Sequence, residues 1–150
     1  MRRTWAAFIV LLSAVPSISA QSNTSLDVLL DKREASFGDV AYLALTAMKL
    51  IPETASAAQA VEALKGTGWK IRMLGPDSAV TLGDYAHLLM TAFKIQGGIL
   101  YSLFPGPRYA CRELAFLNVI SVDARPLRSV SGEEAVRILG KVMEYMGGHP

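Results

Sequence analysis

The chain has 150 residues, 51% of them hydrophobic and 19% charged, with 15 Lys and Arg against 13 Asp and Glu. That length suits one domain with its own core, and a net charge of +2 gives no reason to expect nucleic acid or an anionic membrane as a partner. The single cysteine, Cys111, excludes an intrachain disulfide.

Residues 1–20 read as a secretory signal peptide. Arg2 and Arg3 give a positive start, Trp5 to Val15 an apolar run broken only by Ser13, and Pro16 ends it. Ser17-Ile18-Ser19-Ala20 then offers small residues for cleavage. The apolar run is short for a bilayer span, so an uncleaved anchor is the weaker alternative. No cysteine follows for a lipid anchor. Cleavage removes two arginines and leaves basic and acidic residues balanced at 13 each. The mature chain is expected in the periplasm or peripheral to the envelope, with no transmembrane segment.

Residues 21–35 form an N-terminal segment with a polar start. From residue 36 to 146 the pattern is that of an all-α helical repeat domain of about five helices. Three helix starts share one form: Ser36-Phe37-Gly38-Asp39, Thr81-Leu82-Gly83-Asp84 and Ser131-Gly132-Glu133-Glu134. A hydroxyl followed three positions later by a carboxylate is the capping-box pattern, and the acid favours the positive end of the helix dipole. Ser36, Asp39, Thr81, Asp84, Ser131 and Glu134 are therefore structural caps.

The first helix is expected to end at Pro52 and the second at Gly66-Thr67-Gly68. The third runs from Thr81 to Gly97-Gly98, apolar on more than one side and so the most enclosed. Ile99 to Phe104 reads as extended chain packed on the core. Phe104-Pro105-Gly106-Pro107 leads into a fourth helix, where Ala110, Cys111 and Leu114 make a buried thiol the better reading. The fifth carries Ala135, Ile138, Leu139, Val142 and Met146 on one face. Residues 147–150 are expected to be a flexible tail.

Behind the caps, Val40, Tyr85 and Ala135 correspond, as do Leu43, Leu88 and Ile138. The last two copies also align before the caps: Ala60 with Ala110, Leu64 with Leu114, Pro76 with Pro126 and Val80 with Val130. Each copy is about fifty residues, a period at which units bury their faces against each other. The first copy keeps only its second half, unless Leu26 to Leu30 is a remnant of the first.

This arrangement of helix, proline-bearing loop, hydroxyl-x-x-acid cap and Ala/Leu-rich helix resembles the S-layer homology domain. The resemblance covers residues 36 to 146, about two and a half units. It implies an exported, cell-envelope module with units around a pseudo-threefold axis, binding a cell-wall polymer in grooves between them. The arginine of the family's Thr-Arg-Ala-Glu motif is replaced here by Phe37, Leu82 and Gly132.

Trp69, Arg72 and Asp77, with Lys70, lie in one inter-helix loop, and Arg108, Arg112, Arg125 and Arg128 surround the next unit. An aromatic face with guanidinium groups suits a sugar ring carrying an acidic substituent. The plainer alternative has Trp69 filling the gap between units and the cations solvated. His87 stands one turn from Asp84, but no nucleophile accompanies it. No metal, cofactor or catalytic set can be assembled, and a binding protein is expected rather than an enzyme. The expected partner is a cell-wall polymer or an envelope protein. The alternative is a structural accessory subunit of a periplasmic assembly without glycan binding. An incomplete first copy would leave an apolar face for a homo- or hetero-oligomer to cover.

Overall fold

In a computed structural model, residues 26–148 are described; the expected signal peptide lies outside them. The fold is all-α. A helical turn at 26–30 (α1) is followed by α2 (Phe37–Ala47), α3 (Ala57–Gly66), α4 (Leu82–Ala92), α5 (Ile99–Leu103), α6 (Pro107–Phe116) and α7 (Gly132–Gly148). No described helix is long and apolar enough to cross a membrane.

The three long helices α2, α4 and α7 start as their hydroxyl residues dictate. Ser36, Thr81 and Ser131 each accept the N–H of the residue three positions on, at 3.2, 3.1 and 3.1 Å. Only Ser36 completes the reciprocal box, through its own N–H to Asp39 Oδ2 at 2.9 Å. The other two acids do different work. Asp84 accepts from the Thr81 hydroxyl at 2.7 Å, and Glu134 is taken by Arg128. A full capping box also opens α3, from Ser56 and Gln59.

Helix ends are set by backbone geometry more than by glycine. Lys49, Lys94 and Asn118 adopt left-handed φ values of 58°, 52° and 58° just past α2, α4 and α6. At each, the next residue's N–H turns back to a carbonyl inside the helix: Leu50 to Leu45, Ile95 to Met90 and Val119 to Leu114, at 2.9, 3.0 and 2.9 Å. These are Schellman ends.

The core joins all three long helices. α2 packs chiefly on α3 and α4 on α6, while α2 also touches α4 and α7. Every α4 residue except Thr91 is buried, as its apolar composition predicts. Tyr85, fully enclosed, donates its hydroxyl to the Ala135 carbonyl at 2.8 Å. Its burial pushes the phenol far above its ordinary value.

The loops close on helix starts. Phe37 and Gly38 donate to the carbonyls of Ser78 and Pro76 at 2.7 and 2.8 Å; Leu82 and Gly83 donate to Arg128 and Pro126, both at 2.8 Å. Gly132 donates to Lys32 at 2.9 Å. These bonds satisfy helix N–H groups that have no intrahelical partner. Ala35, Val80 and Val130, each one residue before a cap, are buried side by side. Ala35 donates to the Val130 carbonyl and Val80 to the Ala35 carbonyl, at 2.7 and 3.2 Å.

Four expectations need correction: α2 ends at Ala47 rather than at Pro52 and α4 at Ala92 rather than at Gly97-Gly98, and two segments differ in conformation. Ile99 to Leu103 is a single helical turn, with Ser102 N–H on the Gly98 carbonyl at 3.0 Å, and none of its residues is buried. An isolated extended segment has no strand to pair with, so the backbone satisfies itself locally. Gly147 and Gly148 continue α7 rather than belonging to a loose tail, since glycine weakens a helix without breaking it.

Candidate functional site

α6 begins with Pro107 at its first position, where the missing N–H costs nothing and φ is already helical. Its inner face, Ala110, Cys111, Leu114 and Ala115, is buried. The outer face carries Arg108, Arg112 and Phe116 at successive turns, all exposed, Phe116 by 82%. Beside this stripe runs an open groove of about 750 Å3. Leu100 of α5 and, from the following loop, Asn118 and Val122 line it as well. Val122 is 85% exposed.

No carboxylate lines the groove, and Arg108 and Arg112 make no ion pair among the described residues. Buried Cys111 is also among the lining residues. Burial raises its thiol, with nearby Arg128 opposing, so it stays protonated and behaves as a small apolar group.

The six ligand residues suggested by the sequence do not form one cluster. Arg108 alone lines the groove. Arg125 is exposed next to it in the loop. Arg128 is engaged elsewhere: its guanidinium forks onto both Glu134 oxygens at 2.7 and 2.5 Å. Those bonds hold the Glu134 carboxyl below its ordinary range, with burial opposing. In the other loop, Trp69 is half-buried against the core, Asp77 is exposed in a turn, and Arg72 stands 3.9 Å from the buried Asp84. Trp69 is thus partly packed against the core, and Arg128 is held by Glu134.

Asp39 has a similar cation. Burial would raise its carboxyl, but Lys32 Nζ at 2.8–2.9 Å and the Ser36 N–H outweigh it and bring the value down. His87 is buried, with Nε2 3.1 Å from the Lys70 carbonyl and Nδ1 3.1 Å from the Tyr101 hydroxyl. A carbonyl only accepts, so Nε2 carries the proton and, in the neutral ring, Nδ1 accepts from Tyr101. The ring ties α4 to α5 and to the loop after α3; its partners are structural ones.

Leu100, Phe116 and Val122 escaped sequence reading as site residues. The available signal was the i, i+4, i+8 stripe Arg108, Arg112, Phe116 on a helix whose other face is Ala110, Cys111 and Leu114. Among the described residues no group of His, Cys, Asp and Glu could hold a metal ion. In comparisons with known proteins, no family model, curated protein or solved structure matches this chain.

Proposed function

We propose that the chain is an exported binding and scaffolding module of a cell envelope that engages a protein partner through the α6 groove. The carrying observation is the groove itself: open to solvent, apolar-walled, and bearing two guanidinium groups with no internal carboxylate. Exposed apolar side chains around a concave surface are the usual mark of a partner site. Export rests on the apolar run and cleavage pattern of residues 1–20. The groove's polar groups suit recognition: the Arg108 and Arg112 guanidinium groups, the Tyr109 phenol and the Asn118 amide orient a partner.

A second reading, attachment to a cell-wall polymer, draws on the resemblance to S-layer homology domains. The equivalent loop-to-cap hydrogen bonds at the starts of α2, α4 and α7 support related units around a pseudo-threefold axis. Against polymer binding stand the positions of the family's arginine. Phe37 and Leu82 are 1% and 0% exposed in the core, and Gly132 presses on Leu29. None sends a cation toward a groove between units. The protein-partner form, that of an accessory subunit, is therefore preferred.

Co-sedimentation of the chain from Gln21 with sacculi separates the two readings. The preferred reading expects no pelleting with intact or polymer-stripped sacculi. It also expects wild-type chain in a large envelope complex from which Phe116→Ser releases it. Pelleting with intact sacculi alone, lost on Trp69→Ala or Arg125→Ala, would establish the polymer reading instead.

A further inference from the structure

We infer that the α6 groove takes an acidic amphipathic helix, whose apolar stripe lies on Leu100, Phe116 and Val122 and whose carboxylates, one turn apart, meet Arg108 and Arg112. This rests on the protein-partner reading above and names the chemistry of the partner.

Charge fixes the sign. The lining holds Arg108 and Arg112 and no Asp or Glu, and neither arginine has an ion-pair partner among the described residues. An apolar partner without anions would strip water from the two guanidinium groups and return nothing for it. Carboxylates restore the lost hydrogen bonds, and a guanidinium fork accepts them in bidentate fashion.

Spacing fixes the conformation. Arg108 and Arg112 stand four residues apart on α6, so their Cβ atoms are about 6 Å apart on one face. Acids at i and i+4 of a second helix share that spacing. The described residues contain only isolated bridge pairs, not a sheet edge that an extended peptide could join. A cavity of about 750 Å3 accommodates the side chains of a few helical turns rather than a whole domain face.

The charge pattern also disfavours a second copy of this chain. A two-fold pairing through the groove sets Arg108 and Arg112 of both copies together, with no acid in the lining between them. The concave shape disfavours a lipid surface, against which protruding side chains serve better.

The test is selection from a displayed library of helices about 18 residues long, five turns, randomised along one face and presented to the immobilised chain from Gln21. The expected winners carry Asp or Glu at two positions one turn apart, with Leu, Ile, Phe or Met between them. Selection on the Arg108→Glu/Arg112→Glu variant, checked for unchanged helicity, should enrich Lys and Arg there. Its affinity for the acidic winners should drop about tenfold or more. No enrichment, enrichment without acids, or the same winners on both proteins overturns the inference. So does sedimentation with phosphatidylglycerol vesicles that the acidic winners do not compete away. If the selection fails while Phe116→Ser still releases the chain from its envelope complex, the protein-partner reading stands and only the acidic helix falls. If both fail, both fall.

Discussion

Gly132 donates its backbone N–H to the carbonyl of Lys32 at 2.9 Å, joining the start of the last helix to the first described loop. The approach is so close that a Cβ on Gly132 would lie 1.7 Å from the Leu29 carbonyl oxygen. Gly38 and Gly83 occupy comparable places, under the carbonyls of Pro76 and Pro126 at 2.8 and 3.1 Å from an added Cβ. Residues 26–35 are thus a structural part of the domain, locking α7 as the later loops lock α2 and α4.

Gly132→Ala should therefore destabilise by about 1–3 kcal/mol or more, because the Leu29 backbone has to move. Gly140→Ala, inside α7 with nothing within 4 Å of the new methyl, should stabilise by about 0.5–1 kcal/mol through helix propensity. Urea denaturation of both variants measures the opposite signs.

Acid should weaken the fold through Glu134 and Asp39. Both carboxyls are lowered in the folded state, Glu134 by the Arg128 fork and Asp39 by Lys32 and Ser36 against its burial. Unfolded Asp and Glu titrate near about 4, so the unfolded chain binds protons first as pH falls. The stabilisation is complete above that value and is lost as pH drops through the folded values. Glu134→Gln should cost about 1 kcal/mol at pH 7 and flatten the decline below about pH 5. Thermal melts across pH check both.

Tyr85→Phe removes a fully buried hydroxyl from the Ala135 carbonyl, a bond of 2.8 Å. The variant should lose about 1–2 kcal/mol and keep its helicity, read by denaturant midpoint and circular dichroism.

Much of the scaffold was legible because its signals are local. The hydroxyl caps Ser36, Thr81 and Ser131 lie where the serine and threonine patterns put them, and α4 is as enclosed as its apolar residues require. The acids were harder to read. Asp is shorter than Glu, so the boxes at Asp39 and Asp84 read as weaker than the one at Glu134, yet only Asp39 closes one, because Arg128 takes Glu134 and the Thr81 hydroxyl takes Asp84. The helix ends at Lys49, Lys94 and Asn118 were obscured because non-glycine residues take the left-handed turn. α5 was misread because a six-residue segment apolar but for Ser102 suits strand or helix until pairing partners are known. The groove is a tertiary product: Leu100, Phe116 and Val122 come from α5, α6 and a loop, and their sequence positions carry no shared period.

The most direct test of the α6 groove as the partner site is photo-crosslinking in the native envelope, with benzoylphenylalanine at position 116 and, as control, at Glu62 on the exposed side of α3. One discrete protein adduct is expected from position 116, abolished by Arg108→Glu/Arg112→Glu, and none from position 62. Equal adducts from both positions, an adduct indifferent to the two arginines, or capture of wall polymer at 116 would contradict the groove's role as the partner site.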